Sequence, residues 1–305
     1  MPELEVHIQK AYEKVRLARR EQRLVQLVHR QEPQHRLVGS SSSIRKIAAL
    51  IEIVAPTDAT VLVRGPGGTG KEVVARAIHA ASPRRDNPMV TIKCAALQES
   101  LLETELFGHE KGAFTGAVSA KPGLVEVAEG GTLFVDEIGE KAVGLQAKLL
   151  RVLEDEHFRR VGGTTEQRAD VRVVAATNRS LEDEIKSNRF HEELYYRLNV
   201  ITLRLPPLRE RRSDVPELVE YFLTTRQVGP ARRRVAPAAL EALTRYDWPG
   251  NVRELANVLE RAQILAEDAT ITVDDLPDAL FLAAPINRVA DDSGHNLHDA
   301  QRRLF

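Results

Sequence analysis

A chain of 305 residues with 43% hydrophobic and 29% charged residues has the composition of ordinary globular protein and enough apolar material for about two domains. Its formal net charge of -1 excludes a protein-wide basic footprint for nucleic acid. A single cysteine excludes an intrachain disulfide, and no apolar run approaches the roughly 18 residues of a membrane span.

No signal peptide opens the chain, so a reducing cytoplasm is the expected compartment. Residues 3–30 are expected to be helical. Leu4, Ile8, Ala11, Val15, Ala18 and Val25 share a stripe at alternating spacings of four and three, as in a short coiled coil or in a solvated helix packed on its own domain. Pro33 ends it. Gly39 and the serines at 40–43 supply N-cap hydroxyls for a helix to about Val54. Strands are expected at 59–63, 89–92, 132–135 and 171–176, alternating with helices such as 71–81. Cys94 stands in an apolar strand-to-turn context and is expected to pack. A hairpin pairing 158–161 with 168–172 is expected around Gly162-Gly163. From Ser213 the strands are expected to stop, with helices at 214–225, 237–246, 252–267 and 273–282. The fold class is therefore α/β, a central parallel sheet flanked by helices, followed by a small all-helical domain.

The chemistry concentrates in a few runs. Gly65-Pro66-Gly67-Gly68-Thr69-Gly70-Lys71 follows a strand and opens a helix, the context of a phosphate-binding loop. Glycines let backbone N–H groups turn toward a phosphate, and Lys71 adds a point charge. Asp136-Glu137 ends an apolar strand, where two acids imply a cation or a reaction to serve. Between these runs stands Gly112-Ala113-Phe114-Thr115-Gly116-Ala117, a loop whose sizeable groups are Phe114 and Thr115.

With Glu105-Leu106-Phe107-Gly108-His109-Glu110-Lys111 before it, that loop resembles the signature of bacterial enhancer-binding proteins, the AAA+ ATPases that activate sigma-54 RNA polymerase. The resemblance runs from about Leu37 to Leu282. It implies an AAA+ P-loop NTPase at 35–210, a sigma-54-contacting loop at 108–122 and a helical lid at 211–284. A helical linker at 1–34 and a second linker at 285–305, leading toward an absent DNA-binding domain, complete the expected organisation. It implies ATP and Mg2+ as cofactors and a homo-oligomeric ring, a hexamer that is dimeric when inactive. The partners are sigma-54 and its holoenzyme, with promoter or enhancer DNA reached only through a domain that these residues do not include.

Residue by residue, the resemblance assigns nucleotide contacts to 65–72, with Glu72 at a position where Glu is normal in the family, and to Arg253 of Trp248-Pro249-Gly250-Asn251-Val252-Arg253-Glu254-Leu255. Asp136 is expected to hold magnesium through water, Glu137 to polarise the attacking water and Asn178 to sense the outermost phosphate. Arg197 is the expected arginine finger. The sequence departs from the pattern at Pro66 and Gly67, at His191, where the family has Arg, and at Lys93, where it has Asn. Arg189 is a candidate substitute for the missing arginine. Lys93 is either a cation that restrains Glu137 or a plain surface lysine. Other readings are a nucleotide-dependent DNA-binding switch and a protein unfoldase; the 112–117 loop disfavours the second.

Overall fold

The computed structural model describes residues 37–282 apart from 97, 141–142 and 229–232. The helix expected at 3–30 and the linker at 285–305 lie outside the described residues. In chain order the strands of the first domain are β1 (Val61–Arg64), β2 (Met89–Lys93), β3 (Thr132–Asp136), β4 (His157–Arg159), β5 (Glu166–Arg168), β6 (Arg172–Thr177) and β7 (Ile201–Arg204). Its helices are α1 (Ser42–Val54), α2 (Lys71–Ala80), α3 (Glu99–Phe107), α4 (Leu124–Val127), α5 (Val143–Asp155), α6 (Leu181–Lys186) and α7 (Glu192–Leu198).

Five strands form a parallel sheet in the order β2-β3-β6-β1-β7. Alternation of side chains sends Leu62, Leu133, Val135, Val173 and Ala175 into one core. Val61, Val63, Phe134, Val174 and Ala176 go into the core on the opposite face. Burial on both faces explains why these strands are near-continuous apolar runs. β7 escapes the sequence reading because Thr202 and Arg204 interrupt its apolar residues, which an edge strand tolerates.

The expected hairpin is displaced. His157 pairs with Arg168 and Arg159 with Glu166. Val161 leaves the hairpin because its backbone bonds Gly108 and Glu110 instead.

The second domain holds α8 (Val215–Thr225), α9 (Pro237–Arg245), α10 (Asn251–Leu265) and α11 (Ala279–Leu282) around a core centred on buried Trp248. It is not free of strands: β8 (Arg234–Val235) and β9 (Thr270–Ile271) pair in parallel. The helix expected over 273–282 is reduced to its last turn, since Asp274 to Pro277 form turns and a proline there cannot donate to a helix.

Two buried contacts set the relation of the parts. Ser41 caps α1 as expected, and its hydroxyl also donates to Asp214 Oδ2 at 2.7 Å. Asp214 Oδ1 accepts from the Ser40 and Ser41 amides, so a fully buried carboxylate at the start of the second domain holds the start of the first. At the other end of α1, buried Arg172 donates to the Ala55 and Val54 carbonyls at 2.7 and 2.9 Å, satisfying helix-terminal acceptors that otherwise lack partners.

Arg64, at the end of β1, grips Glu182 of α6 through two bonds of 2.6 and 2.7 Å. That paired guanidinium holds the Glu182 carboxyl down from 4.5 to about 2. A depressed carboxyl adds stability above its unfolded value, and that stability is lost as pH falls through 4.5 toward about 2. Because the Glu182 side chain is 40% exposed, solvent screening limits the effect to about 1 kcal/mol. Glu182→Gln is expected to lower unfolding free energy by that amount at neutral pH. Denaturant titrations at falling pH should show the difference closing below 4.5; a constant difference would contradict the assignment.

Candidate functional site

The loop between β1 and α2 is built by its own residues. The Gly65 amide donates to the Thr177 carbonyl at 3.2 Å, which fixes the stem to the end of β6. Gly68 and Gly70 have φ of 76° and 104°, values that a side chain disfavours. Thr69 Oγ1 donates to the Pro66 carbonyl at 2.9 Å, and Lys71 Nζ donates to the Gly65 carbonyl at 3.0 Å and the Pro66 carbonyl at 3.3 Å. Burial pulls the Lys71 amine below its ordinary value, while Asp136 and Glu137 push it back up.

A cavity of about 350 Å³ opens on this loop. Residues 67–72, Asp136, Glu137 and Arg253 all line it, so sequence-distant groups are gathered at one place. Gly65 and Pro66 form the stem behind and do not line it. Burial raises the Asp136 carboxyl; Lys71 and then Lys93 lower it, and the Glu137 amide donates to it. Glu137 sits at φ 59°, a left-handed backbone that a non-glycine residue holds only under constraint, as functional residues often do. The far end of the cavity is apolar, with Leu37, Val38, Leu218, Tyr221, Phe222 and Val252. Val252 stands in the 248–255 run, but no sequence motif marked the others, which come from the residues before α1 and from α8.

The remaining expected residues lie elsewhere. Asn178 follows the end of β6 and is exposed; it is not among the residues that line the cavity. Arg197 projects from α7 toward Glu154, with Nε 2.7 Å from Oε1, and its side chain is 57% exposed. His191 is the N-cap residue of α7, and its amide donates to Gln146 Oε1. Arg189 is engaged by Glu184 through bonds of 2.7 and 3.1 Å. Lys93 pairs with Glu72 at 3.7 Å rather than with Glu137. The register explains it: Lys93 lies beside Asp136 at the sheet's edge, facing the first turn of α2, where Glu72 also meets Arg76. Of the two readings left open for Lys93, the half-exposed pair with Glu72 stands nearer to the surface lysine.

The 112–117 loop stands on a stalk. His109 and Lys121 exchange backbone bonds of 3.0 Å, and His109 also bridges to Val161, just beyond β4. Inside the loop, the Gly112 amide donates to the Ala117 carbonyl and the Ala117 amide to the Phe114 carbonyl, so the loop forms a compact turn with Ala117 buried. Phe114 is 46% exposed with its ring edge against His109. Thr115 is exposed and Val118 is 82% exposed. Support that the sequence did not reveal comes from the hairpin. Gly162 lets Ala113 approach so closely that an added Cβ would lie 2.7 Å from the alanine's own. Arg160 clamps Glu126 through two bonds and Glu110 through a third.

Residues 37–204 match the family described as the sigma-54 interaction domain, and residues 209–292 match the AAA+ ATPase lid domain. The chain belongs to the sigma-54 interaction domain family. This member is 54% identical to a Nif-specific regulatory protein of Azotobacter vinelandii over 78% of its length and 46% of the relative's. It is 47% identical to the transcriptional regulatory protein ZraR of Salmonella typhimurium over 88% of its length and 61% of the relative's. Among solved structures, NtrX from Brucella abortus in complex with ADP aligns at TM-score 0.75 with 38% identity, over 91% of this chain and 65% of that one. The same protein has been solved in complex with ATP, at TM-score 0.73 and 38% identity, over 92% and 64%. The chain thus spans about half the length of the curated relatives it matches. Among the described residues no helix is long and apolar enough to cross a membrane.

Proposed function

We propose that this sigma-54 interaction domain protein is an ATPase that works as a homo-oligomeric ring, a hexamer, and remodels the sigma-54 holoenzyme to start transcription. The observation that carries the reading is the division of labour in one domain. The cradle at 67–72 and the acids Asp136 and Glu137 line a single cavity. The exposed Phe114 and Thr115 are presented apart from it on a braced stalk.

The cavity suits ATP. Its apolar end accommodates a base, and its glycine loop with Lys71 accommodates phosphates. The donor set also suits magnesium. Asp136 is a carboxylate raised by burial and pulled down by neighbouring cations, so a further cation beside it is welcome. Asp136 would hold magnesium through water, and the ion would supply neutralisation of phosphate charge there.

Glu137 takes the proton of the attacking water as its oxygen bonds the outermost phosphorus. The bond to the ADP oxygen breaks, giving ADP and phosphate. Arg253 reaches the phosphates of its own subunit, Asn178 senses the outermost one, and Arg197 serves the neighbour's cavity. Such a ring works in the cytoplasm.

Thr115→Ala is expected to separate hydrolysis from output. Thr115 is exposed on a loop that packs on itself, so its loss leaves ATP turnover within about twofold. Binding of purified sigma-54 in the presence of ADP and aluminium fluoride should weaken by about tenfold or more, the loss of about 1.4 kcal/mol at one contact. Equal loss of turnover and of sigma-54 binding would make the loop structural. Wild-type affinity for sigma-54 would remove Thr115 from the contact.

A further inference from the structure

The carbonyls of residues 65–69 in the phosphate loop are all held, the last three from outside the loop. Lys71 takes those of Gly65 and Pro66. The next three are taken by the second domain. Asn251 Nδ2 donates to the Gly67 carbonyl at 2.9 Å, the Arg253 amide to Gly68 at 3.2 Å, and Arg211 Nη2 to Thr69 at 2.8 Å. Asn251 and Arg211 are 2% and 3% exposed. The Asn251 carboxamide also accepts the Leu208 amide at 2.8 Å, so one side chain ties the phosphate loop to the segment entering the lid. The lid backbone presses on the loop as well. A Cβ on Gly68 would lie 2.3 Å from the Gly250 carbonyl.

We propose that Asn251 and Arg211 are positioning residues that shape the phosphate cradle from the lid side. In a trans peptide the carbonyl and the following N–H point in opposite directions. Holding the carbonyls of Gly67 and Thr69 therefore fixes the N–H groups of Gly68 and Gly70, and a cradle needs such groups fixed in advance. This loop needs outside help. Gly67 has open space where a side chain would be, and glycine leaves its peptides free to turn. The lid supplies the missing restraint, and lid position and phosphate affinity become one coupled property. The inference rests on the nucleotide-binding reading above.

The test uses the full chain with Asn251→Gly, Arg211→Met and Arg211→Lys. Asn251 has φ 55°, and glycine keeps that backbone while removing the amide. Hydrogen exchange is followed by mass spectrometry in peptides covering 65–72 and, as reference, the β3 strand; ATP affinity and the steady-state KM and kcat are measured beside it. Asn251→Gly and Arg211→Met are expected to speed exchange in 65–72 with β3 unchanged. ATP affinity should fall about tenfold, about 1.4 kcal/mol, with the loss in KM more than in kcat. Arg211→Lys, which still donates to the Thr69 carbonyl, should recover most of it. Unchanged exchange and affinity in both removals would overturn the proposal. So would exchange rising equally in β3, or a lysine variant no better than methionine, because each indicates general destabilisation. A wild-type chain that binds no ATP would instead defeat the nucleotide reading itself.

Discussion

Glu137→Gln is expected to reduce ATP turnover by about 10²–10⁴-fold, the usual contribution of a positioned base, while nucleotide affinity is retained. The separation follows from what Glu137 touches. It lines the cavity beside Asp136 but makes no bond within the phosphate loop. Its left-handed backbone is a property of the strand end, and glutamine preserves side-chain size while losing the proton acceptor. Lys93 is committed to Glu72, so no ion pair to Glu137 is disturbed. Phosphate release and fluorescent-nucleotide binding should be measured on the same preparation. Turnover above about a tenth of wild type would remove Glu137 from the base role, because it falls short of the smallest effect expected of one.

Arg197→Ala is expected to cost about 10³–10⁵-fold in turnover, as arginine fingers do elsewhere, and to be rescued by a second inactive chain. Arg197 does not line its own cavity, and its guanidinium stands on α7, largely exposed beside Glu154. An exposed pair of that kind contributes about 0–1 kcal/mol to stability, so folding should survive its loss. Mixing with Lys71→Ala supplies the missing partner. The Lys71→Ala chain lacks a cradle and donates a finger; the Arg197→Ala chain keeps its cradle. Mixed rings should hydrolyse ATP where neither parent does. Mixed rings shown to form, yet without activity at any ratio, would refute a role in trans. Arg189 is a poor understudy because Glu184 already grips the Nε–Nη2 edge of its guanidinium.

How much the sequence revealed depended on how local the cause was. The central strands were legible because burial on two faces leaves apolar runs, and the cradle because glycines, a lysine and a helix start are contiguous. The lid grip on that cradle was not legible. Asn251 and Arg211 stand 184 and 142 residues from the carbonyls that they hold, and a buried amide looks like any other until the chain is folded. Lys93 shows the same limit from the other side. The sequence left it either an ion-pair partner of Glu137 or a plain surface lysine, and only the fold brings its ammonium to Glu72. The hairpin slipped because Val161 was taken by the stalk of the exposed loop, a competition between segments about 50 residues apart that no local propensity encodes.

ATP hydrolysis in this chain is proposed to be converted into work on the sigma-54 holoenzyme. This is tested most directly by promoter opening with purified chain, sigma-54 holoenzyme and a promoter fragment, at protein concentrations high enough that no enhancer site is needed. Strand separation is read by reactivity of unpaired bases. Opening is expected with ATP, and none with a non-hydrolysable analogue, with Glu137→Gln or with Thr115→Ala. ATP hydrolysis by rings that bind sigma-54 yet never open the promoter would contradict it, as would opening that proceeds without hydrolysis.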